Sequence, residues 1–277
     1  MEEKRLLTIQ DISCVGQCSL TVALPVISAC GIETAILPSS VLSNHTAQGF
    51  SGWTFCDLTN EMPSILERWK QEHIDFDAFY TGYVSKAQIP HILDIMQQTA
   101  RPGALRIVDP VMGDYGKLYK GFDEDFPQEM KRLCQGADVI LPNLTEASLL
   151  LGIPYVESGY DRQYIRNVME QLYALGARNV VLTGVSFRPD ELGVACYDGQ
   201  EITYYFTPRM DVQMHGTGDV YASSFAGALL RGKSLLEAAS IAADFVVESI
   251  RKTLPYPNHW YGVKFEEALP YLIQRLG

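Results

Sequence analysis

The sequence is poor in positive charge. It has 22 lysines and arginines against 33 aspartates and glutamates, which gives a formal net charge of −11 over 277 residues. Binding to a nucleic-acid backbone needs clustered cations, so we exclude nucleic acid as a partner. A nucleotide remains a candidate ligand, because backbone N–H groups can hold phosphate without positive side chains. The hydrophobic content of 47% is typical of a globular protein.

Secretion and membrane signals are also missing. Residues 1–5 carry charges of both signs and lack the long apolar region and cleavage site of a signal peptide. The longest weakly polar stretch, residues 20–37, contains Pro25, Gly31 and Glu33, which is untypical of a membrane span. We therefore expect a cytoplasmic protein with no membrane partner.

Metal-binding cysteine patterns are absent as well. The six cysteines form no C-x-x-C pair and the five histidines are scattered, so a zinc site has little support. We expect free thiols in a reducing compartment. The cysteines are Cys14, Cys18, Cys30, Cys56, Cys134 and Cys196.

What the sequence does contain is an alternation of short apolar runs and amphipathic segments. This order predicts parallel β-α-β units, and hence an α/β fold with three α-β-α layers and a mostly parallel central sheet. Two later runs joined by Asp198-Gly199, residues 193–197 and 201–206, predict an antiparallel hairpin at the sheet edge. No long linker interrupts the chain, so we expect a single domain over residues 1–277. The predicted strands cover residues 6–10, 34–37, 78–81, 105–108, 139–141 and 179–182, and the predicted helices cover 61–72, 86–99, 145–151, 161–175, 217–231 and 235–252.

One phosphate-binding pattern is misleading. Residues 227–234 match the P-loop expression G-x-x-x-x-G-K-[ST], but a P-loop follows a strand, whereas this stretch continues a helical pattern. Gly232 suits the end of one helix, and Ser234 with Glu237 forms the capping box of the next. We therefore interpret the match as the end of one helix and the start of the next.

A better phosphate site is Gly216-Thr217-Gly218-Asp219, which opens a predicted helix. Two glycines let the backbone approach a ligand closely, and the helix N-terminus favours an anion there. Asp219 could act as a general base beside that anion. On the tetrapeptide alone, an ordinary glycine turn with an aspartate near the helix start is the favoured interpretation, and the other motifs change that balance.

Polar residues also follow the predicted strand ends, where ligands bind in parallel sheets. Asp109 and Asp114 flank a turn and could hold Mg²⁺ against a triphosphate, although Asp109 before Pro110 is also ordinary turn chemistry. Asn143 and Glu146 fit a helix-capping signature, a role that is compatible with facing a phosphate site.

Five motifs in this order resemble the ribokinase-like small-molecule kinases, most closely their pyridoxal/pyridoxamine kinase branch. The resemblance covers residues 6–249, and the first two motifs separate this branch from the sugar kinases. The motifs are Ser43-Asn44-His45-Thr46, Thr81-Gly82-Tyr83, residues 109–114, residues 142–147 and Gly216-Thr217-Gly218-Asp219.

The resemblance implies a kinase that transfers a phosphoryl group from ATP to the 5′-hydroxymethyl group of a vitamin B6 vitamer. Asp219 would be the catalytic base, and the amides of Gly216, Thr217 and Gly218 would form the anion hole. Mg²⁺ would accompany ATP, with a monovalent cation as a further candidate, and a homodimer is the implied assembly. Metal contacts would come from Asp109, Asp114 and Glu146, and nucleotide contacts from Asp109, Asn143, Glu146, Thr183, Thr217 and Gly218.

For the vitamer, the resemblance implies a hydrogen bond from Thr46 and aromatic packing on Tyr83. Asp11 stands where this branch often has serine, so it could pair with a protonated pyridine nitrogen. Ser13 is the alternative donor. Residues 50–55 with Trp53 would form an apolar wall, and residues 114–122 with Tyr119 a mobile flap that excludes water.

Two features depart from the branch or leave alternatives open. Thr183 is followed by Gly184 where the family usually has serine, which puts the details of nucleotide contact in doubt. His215 before the glycine loop is reminiscent of hydroxymethylpyrimidine kinases, so that activity, or a bifunctional enzyme, is an alternative. A non-catalytic vitamer-binding protein is a third hypothesis, against which the intact Asp219 argues.

Overall fold

A nine-stranded sheet forms the centre of the computed structural model, which describes residues 3–47 and 49–277. Met1 and Glu2 of the charged N-terminal segment lie outside the described residues. The strands are β1 (Arg5–Ser13), β2 (Glu33–Leu42), β3 (Phe55–Asp57), β4 (Phe76–Thr81), β5 (Ala100–Val108), β6 (Gly113–Asp114), β7 (Lys117–Leu118), β8 (Val139–Ile140), β9 (Val180–Val185), β10 (Glu191–Tyr197) and β11 (Ile202–Pro208).

The sheet is mostly parallel, as the alternation of strands and helices predicts. Its strand order is β11-β10-β9-β8-β5-β4-β1-β2-β3, and the six strands from β9 to β2 pair in parallel. At one edge β10 and β11 form the predicted antiparallel hairpin, and at the other edge β3 pairs antiparallel with β2. The pair β6–β7 forms a small hairpin outside this sheet.

Helices cover both faces of the sheet, which confirms the three-layer prediction. Neighbouring residues of a strand enter opposite cores: Leu6 and Tyr80 face one side, and Leu7 and Phe79 the other. Helices α1, α7, α8 and α9 cover the first face, and α2 to α6 cover the second. The helices are α1 (Leu20–Ala29), α2 (Met62–Gln71), α3 (Ile89–Thr99), α4 (Phe126–Cys134), α5 (Leu144–Leu151), α6 (Arg162–Ala174), α7 (Thr217–Leu230), α8 (Leu235–Thr253) and α9 (Leu269–Leu276).

The topology opens a crevice between the carboxyl ends of β1 and β4. The chain leaves β1 for α1 on the first face, whereas it leaves β4 for α3 on the second face. Strands whose connections diverge in this way leave a ligand crevice at their carboxyl ends. The predicted site residues after these strands therefore border this crevice.

The P-loop-like stretch forms the end of α7 and the start of α8, as predicted. Gly227 lies inside α7, and Gly232 takes the left-handed conformation after that helix, with φ +83°. Ser234 caps α8, and its backbone N–H donates to Glu237 Oε2 at 2.9 Å. The stretch begins inside α7 instead of following a strand, so it does not form a phosphate loop.

Several elements were not predicted from the sequence. Helix α1 contains Pro25, which removes a backbone donor from its interior, yet its apolar residues are buried against the sheet. The nine-residue α4 begins at Phe126-Pro127 and buries Met130 and Leu133 at helical spacing, a pattern that the sequence analysis did not assign. Strand β3 is only three residues long and is too short for a periodic pattern. No helix within the described residues is long and apolar enough to cross a membrane.

Candidate active site

The glycine loop begins α7 and has a shape that requires glycine. Gly216 is the N-cap residue with φ +79°, and a Cβ there would lie 1.7 Å from the Gln17 carbonyl oxygen. A Cβ on Gly218 would meet no atom within 4 Å, so the second glycine faces open space. The first N–H groups of a helix have no partner within it, so they are available to an anion at this point.

Asp219 lies in the first turn of α7, partly buried at the crevice. Burial raises the pKa of its carboxyl to about 7; a hydrogen bond from the Ser19 backbone N–H opposes the rise, and the charge of Asp11 adds to it. A carboxyl with a pKa near neutrality is suited to accept a proton from a substrate hydroxyl.

Two buried side chains at the end of β1 lie near this carboxyl. The Ser13 hydroxyl donates to Asp11 Oδ2 at 2.9 Å, and both residues are almost completely buried. Burial raises the pKa of Asp11, while hydrogen bonds from the Ser19 and Ser13 side chains lower it. The two predicted candidates, Asp11 and Ser13, are therefore joined in one hydrogen-bonded pair instead of being exclusive alternatives.

Thr46 and Tyr83 line a cleft of about 390 Å³ together with aromatic side chains. Trp53 and Phe55, from the predicted apolar wall, form part of its lining. Tyr83 connects this cleft with the carboxylates, since burial and the charge of Asp11 both raise the pKa of its hydroxyl. Asp11, Ser13 and Asp219 do not line the cleft itself, so it lies beside the carboxylates.

A second group of carboxyls lies at the ends of β5 and β8. Burial and the charges of Glu146 and Asp219 raise the pKa of Asp109 well above its ordinary value. Burial raises the pKa of Glu146 to about 8, against hydrogen bonds from the backbone N–H groups of Asn143 and Met112. Glu146 is also within electrostatic range of Asp114, the exposed residue of the two-residue strand β6.

The capping role of Asn143 and Glu146 is present in the structure. Asn143 Oδ1 accepts from the Glu146 backbone N–H at 2.8 Å, and Glu146 Oε2 accepts from the Asn143 backbone N–H at 2.8 Å. Asn143 Nδ2 also donates to the Gly113 carbonyl at 3.0 Å, which ties α5 to the β6–β7 hairpin. The cap thus orients the start of α5 toward the acidic group.

The carboxyls fit a hydrated Mg²⁺ ion better than a fully protein-bound one. In the described part of the chain, no group of three or more histidines, cysteines, aspartates or glutamates is arranged to hold a metal ion. Glu146 already accepts backbone hydrogen bonds with both oxygens. Asp109 is buried beside it, and a nearby cation would favour the charged form that burial disfavours. Mg²⁺ usually keeps several waters and takes its remaining oxygens from one or two carboxylates and a phosphate.

Thr183 lies beside this group near the carboxyl end of β9. Its backbone N–H donates to the Pro142 carbonyl at 2.9 Å, and it forms an isolated parallel bridge with Asn143. Gly184 follows in the left-handed conformation, with φ +78°. The departure from serine at this position therefore coincides with a backbone shape that favours glycine.

The predicted flap corresponds to the β6–β7 hairpin and the residues after it. Burial raises the pKa of the Tyr119 hydroxyl, as do the charges of Glu146, Asp114, Asp109 and Asp219. Tyr119 thus lies over both acidic groups. At the hairpin tip, the Tyr115 hydroxyl accepts from Gln213 Nε2 at 2.8 Å, so the flap touches the segment before the glycine loop.

Cys18 was missed by the sequence analysis, which treated it as an ordinary free thiol. It lies close to Asp219, the predicted base, and to Asp11, a predicted vitamer contact, because burial and both charges raise the pKa of its thiol. Its side chain interacts with Ser13 and Ser19. No spacing pattern in the sequence distinguishes this cysteine from the other five.

The C-terminal segment was also missed, because the motifs end before it. His45, in the second half of Ser43-Asn44-His45-Thr46, is buried, and its Nε2 lies 3.0 Å from the Tyr261 carbonyl. Phe50 packs on Trp260 with ring centroids 4.8 Å apart. The segment around residue 260 therefore holds the loop that carries Thr46.

These features define the class of protein, a ribokinase-like kinase, in which a glycine loop at a helix N-terminus and a buried carboxyl meet at the crevice of a parallel sheet. Comparisons with known proteins agree. Residues 59–263 match the phosphomethylpyrimidine kinase family. The chain belongs to this family.

Within the superfamily, the relatives include the expected pyridoxal kinase branch. A pyridoxal kinase from Lactobacillus plantarum is 34% identical with a TM-score of 0.89, over 98% of this chain and 97% of that one. A phosphomethylpyrimidine kinase candidate from Bacteroides thetaiotaomicron, crystallised with pyridoxal, is 36% identical with a TM-score of 0.92, over 98% and 96%. A pyridoxal kinase of Dictyostelium discoideum is 28% identical over 83% of this chain and 79% of its own length.

Proposed function

We propose that this protein phosphorylates the 5′-hydroxymethyl group of a vitamin B6 vitamer with ATP. The observation that carries the proposal is the position of Asp219 between two sets of groups. Its charge acts on Asp109, on the side predicted for the nucleotide, and it interacts with Asp11, on the side predicted for the vitamer. A base between donor and acceptor is what an in-line transfer needs.

In this mechanism, Asp219 accepts the proton of the substrate hydroxyl as its oxygen attacks the γ-phosphorus of ATP. The bond to the β-phosphate breaks in line, and ADP leaves. The backbone N–H groups of Gly216, Thr217 and Gly218 stabilise the charge on the transferring phosphoryl group. A pKa near 7 leaves a substantial fraction of Asp219 deprotonated at neutral pH.

The nucleotide would lie along the second acidic group. Thr217 and Gly218 would bind its terminal phosphates. The start of α5 would contribute Asn143 and Glu146, and the carboxyl end of β9 would contribute Thr183. Mg²⁺ bound near Asp109, Asp114 and Glu146 would neutralise the triphosphate. A monovalent cation remains a further candidate at this end of the site.

The vitamer would lie in the crevice with its ring against Tyr83 and near Thr46. The Asp11 carboxyl would pair with the pyridine nitrogen, and Ser13 supports that carboxyl through their 2.9 Å hydrogen bond. A raised pKa lets Asp11 keep a proton or share one with the ring nitrogen. The likeness to a protein crystallised with pyridoxal supports this assignment.

A substrate panel tests the proposal. We expect measurable kcat/KM with Mg-ATP for at least one of pyridoxal, pyridoxine and pyridoxamine, and a lower value for hydroxymethylpyrimidine. A dominant kcat/KM for hydroxymethylpyrimidine would replace the proposal with the alternative that the name of the family suggests. Vitamer binding without turnover of any of the four would favour a non-catalytic binding protein.

Three further properties remain proposals. We infer a single kinase domain over residues 1–277, since one sheet extends from β11 to β3.

We infer a homodimer, for which β3 offers an edge strand with exposed residues, including Phe55. Sedimentation velocity would test the assembly. The cytoplasmic location stays a prediction.

A further inference from the structure

A group of polar side chains is buried directly beneath the carboxyls of the crevice. Gln10 on β1, Tyr80 on β4 and Ser223 on α7 are each 0% exposed. Gln10 Oε1, the Tyr80 hydroxyl and the Ser223 hydroxyl have no hydrogen-bond partner of good geometry within the described chain. Buried polar atoms in folded proteins nearly always have partners, so three such atoms at one place call for an explanation.

The three side chains face one another on the first face of the sheet. Tyr80 belongs to the core on that side, which α7 covers. Gln10 Nε2 donates to Thr8 Oγ1 at 2.8 Å, which turns Oε1 toward β4. A Cβ on Gly82 would lie 2.3 Å from that oxygen, so the amide fills the space left by the glycine. The Ser223 and Gln10 side chains both interact with the Tyr80 hydroxyl.

One set of hydrogen bonds can satisfy the donors and acceptors of these three side chains. Tyr80 and Ser223 each supply one O–H donor, and Gln10 Oε1 is an acceptor only. If the Ser223 hydroxyl donates to the Tyr80 oxygen and the Tyr80 hydroxyl donates to Gln10 Oε1, both donors and the amide oxygen are satisfied. Hydroxyl hydrogens rotate freely, so the direction of each bond in this arrangement follows from the donor inventory alone.

We propose that Ser223, Tyr80 and Gln10 form a hydrogen-bonded chain that fixes α7 against β1 and β4 and thereby positions Asp219 for proton transfer. The positioning role rests on the proposed function, whereas the chain itself does not. Each member lies next to a predicted site residue. Gln10 precedes Asp11, Tyr80 lies three residues before Tyr83, and Ser223 lies about one turn of α7 after Asp219.

The location of Tyr80 supports a role at the site. The charges of Asp109 and Asp219 both act on its hydroxyl, so it lies below both acidic groups. A second buried tyrosine, Tyr221 on the same helix α7, also has a hydroxyl without a partner among the described residues, but its pKa is raised by burial and by Cys196. The two residues therefore form a matched pair for experiment.

The first measurement compares kcat and KM of Tyr80→Phe and Tyr221→Phe with those of the unmodified enzyme. We expect Tyr80→Phe to lower kcat about tenfold with KM for the vitamer changed less than about twofold, because small misplacements at a reacting centre are costly. Tyr221→Phe should leave kcat within about twofold. Equal kcat for the two variants, whether both fall or neither does, would overturn the positioning role.

The second measurement does not depend on activity. A double-mutant cycle of Tyr80→Phe and Ser223→Ala, followed by urea unfolding, should be non-additive, because each substitution removes the same hydrogen bond. The cycle of Tyr221→Phe with Ser223→Ala should be additive. Additivity in both cycles would contradict the proposed hydrogen bond between Ser223 and Tyr80. An unmodified enzyme that is inactive on every vitamer would overturn the proposed function and the positioning role. The double-mutant cycle would still show whether the hydrogen-bonded chain of Ser223, Tyr80 and Gln10 exists.

Discussion

At the scale of single residues, the site depends on carboxyls whose pKa values are raised by burial. Asp219, Glu146 and Asp109 all have raised pKa values, and burial is the largest cause for each. In water, carboxyls with ordinary pKa values would be fully charged at pH 7 and poor proton acceptors. The surroundings of Asp219 therefore supply the basicity that the proposed reaction needs.

Asp219→Asn tests the base directly. We expect kcat to fall about 10²- to 10⁴-fold, the usual contribution of general-base catalysis, while KM for ATP changes much less. Steady-state kinetics with the preferred vitamer measures both. Asp211→Asn, which changes an exposed aspartate before the same loop, is the matched control and should retain normal turnover. Near-normal kcat in Asp219→Asn would remove this residue from the mechanism.

Residue types could be predicted where a motif surrounds them, and their partners could not. Asp219, Asp109 and Glu146 follow from strand ends and helix starts, which the sequence reveals through its periodicity. The place of Cys18 beside Asp219 and the burial of His45 against Tyr261 depend on contacts between segments distant in sequence. No local pattern encodes such contacts.

At the scale of elements, the start of α7 is the part whose shape is most constrained. Gly216 combines a positive φ with close approach to the Gln17 carbonyl, and this contact joins the glycine loop to the segment that follows β1. The loop and the predicted vitamer contacts on β1 are thus held together by backbone packing as well as by side chains.

Gly216→Ala should therefore damage both the fold and the site. The added Cβ would lie 1.7 Å from the Gln17 carbonyl oxygen, so the loop must move. We expect a loss of stability of about 1–3 kcal/mol and a fall in kcat of at least about tenfold. Thermal unfolding and kinetics measure the two effects. Gly218→Ala, whose Cβ meets open space, should be stable and serves as the control. Equal stability of both variants would contradict the steric assignment.

Elements with capping boxes were predictable, and the proline-containing helix α1 was not. The capping boxes of α5 and α8 are visible in the sequence and present in the structure. Helix α1 contains an internal proline and is held mainly by burial against the sheet, so its sequence carries a weak helical pattern. Its unpredicted position matters, because Cys18 and Ser19 immediately precede it.

At the scale of the whole molecule, the net charge of −11 and the acidic crevice belong together. The proposed phosphate site uses backbone N–H groups and a helix start, and its neighbours are carboxyls. Such a site repels a free triphosphate and accepts one whose charge a cation has reduced. An acidic protein can therefore bind ATP, provided that Mg²⁺ accompanies it.

The same carboxyls make stability depend on pH. The pKa values of Asp219 and Glu146 are raised to about 7 and about 8, so the folded state binds their protons more tightly than the unfolded chain does. This contribution to stability is fully present below the unfolded-state pKa values and is lost as pH rises through 7 and 8. Without ligand, the protein should therefore lose stability between pH 6 and pH 8 at these two residues.

Asp219→Asn isolates one of the two contributions. For a pKa of about 7, linkage predicts that Asp219 alone lowers the free energy of unfolding by about 1 kcal/mol from pH 6 to pH 8, or ~3 °C in Tm. The variant, which cannot ionise there, should show a correspondingly smaller fall in Tm, whereas Asp211→Asn should follow the unmodified protein. Mg-ATP should restore more stability at pH 8 than at pH 6, because the cation stabilises the ionised carboxyls. Parallel Tm curves for Asp219→Asn and the unmodified protein would mean that Asp219 does not change its ionisation between pH 6 and pH 8, which would contradict a pKa near 7.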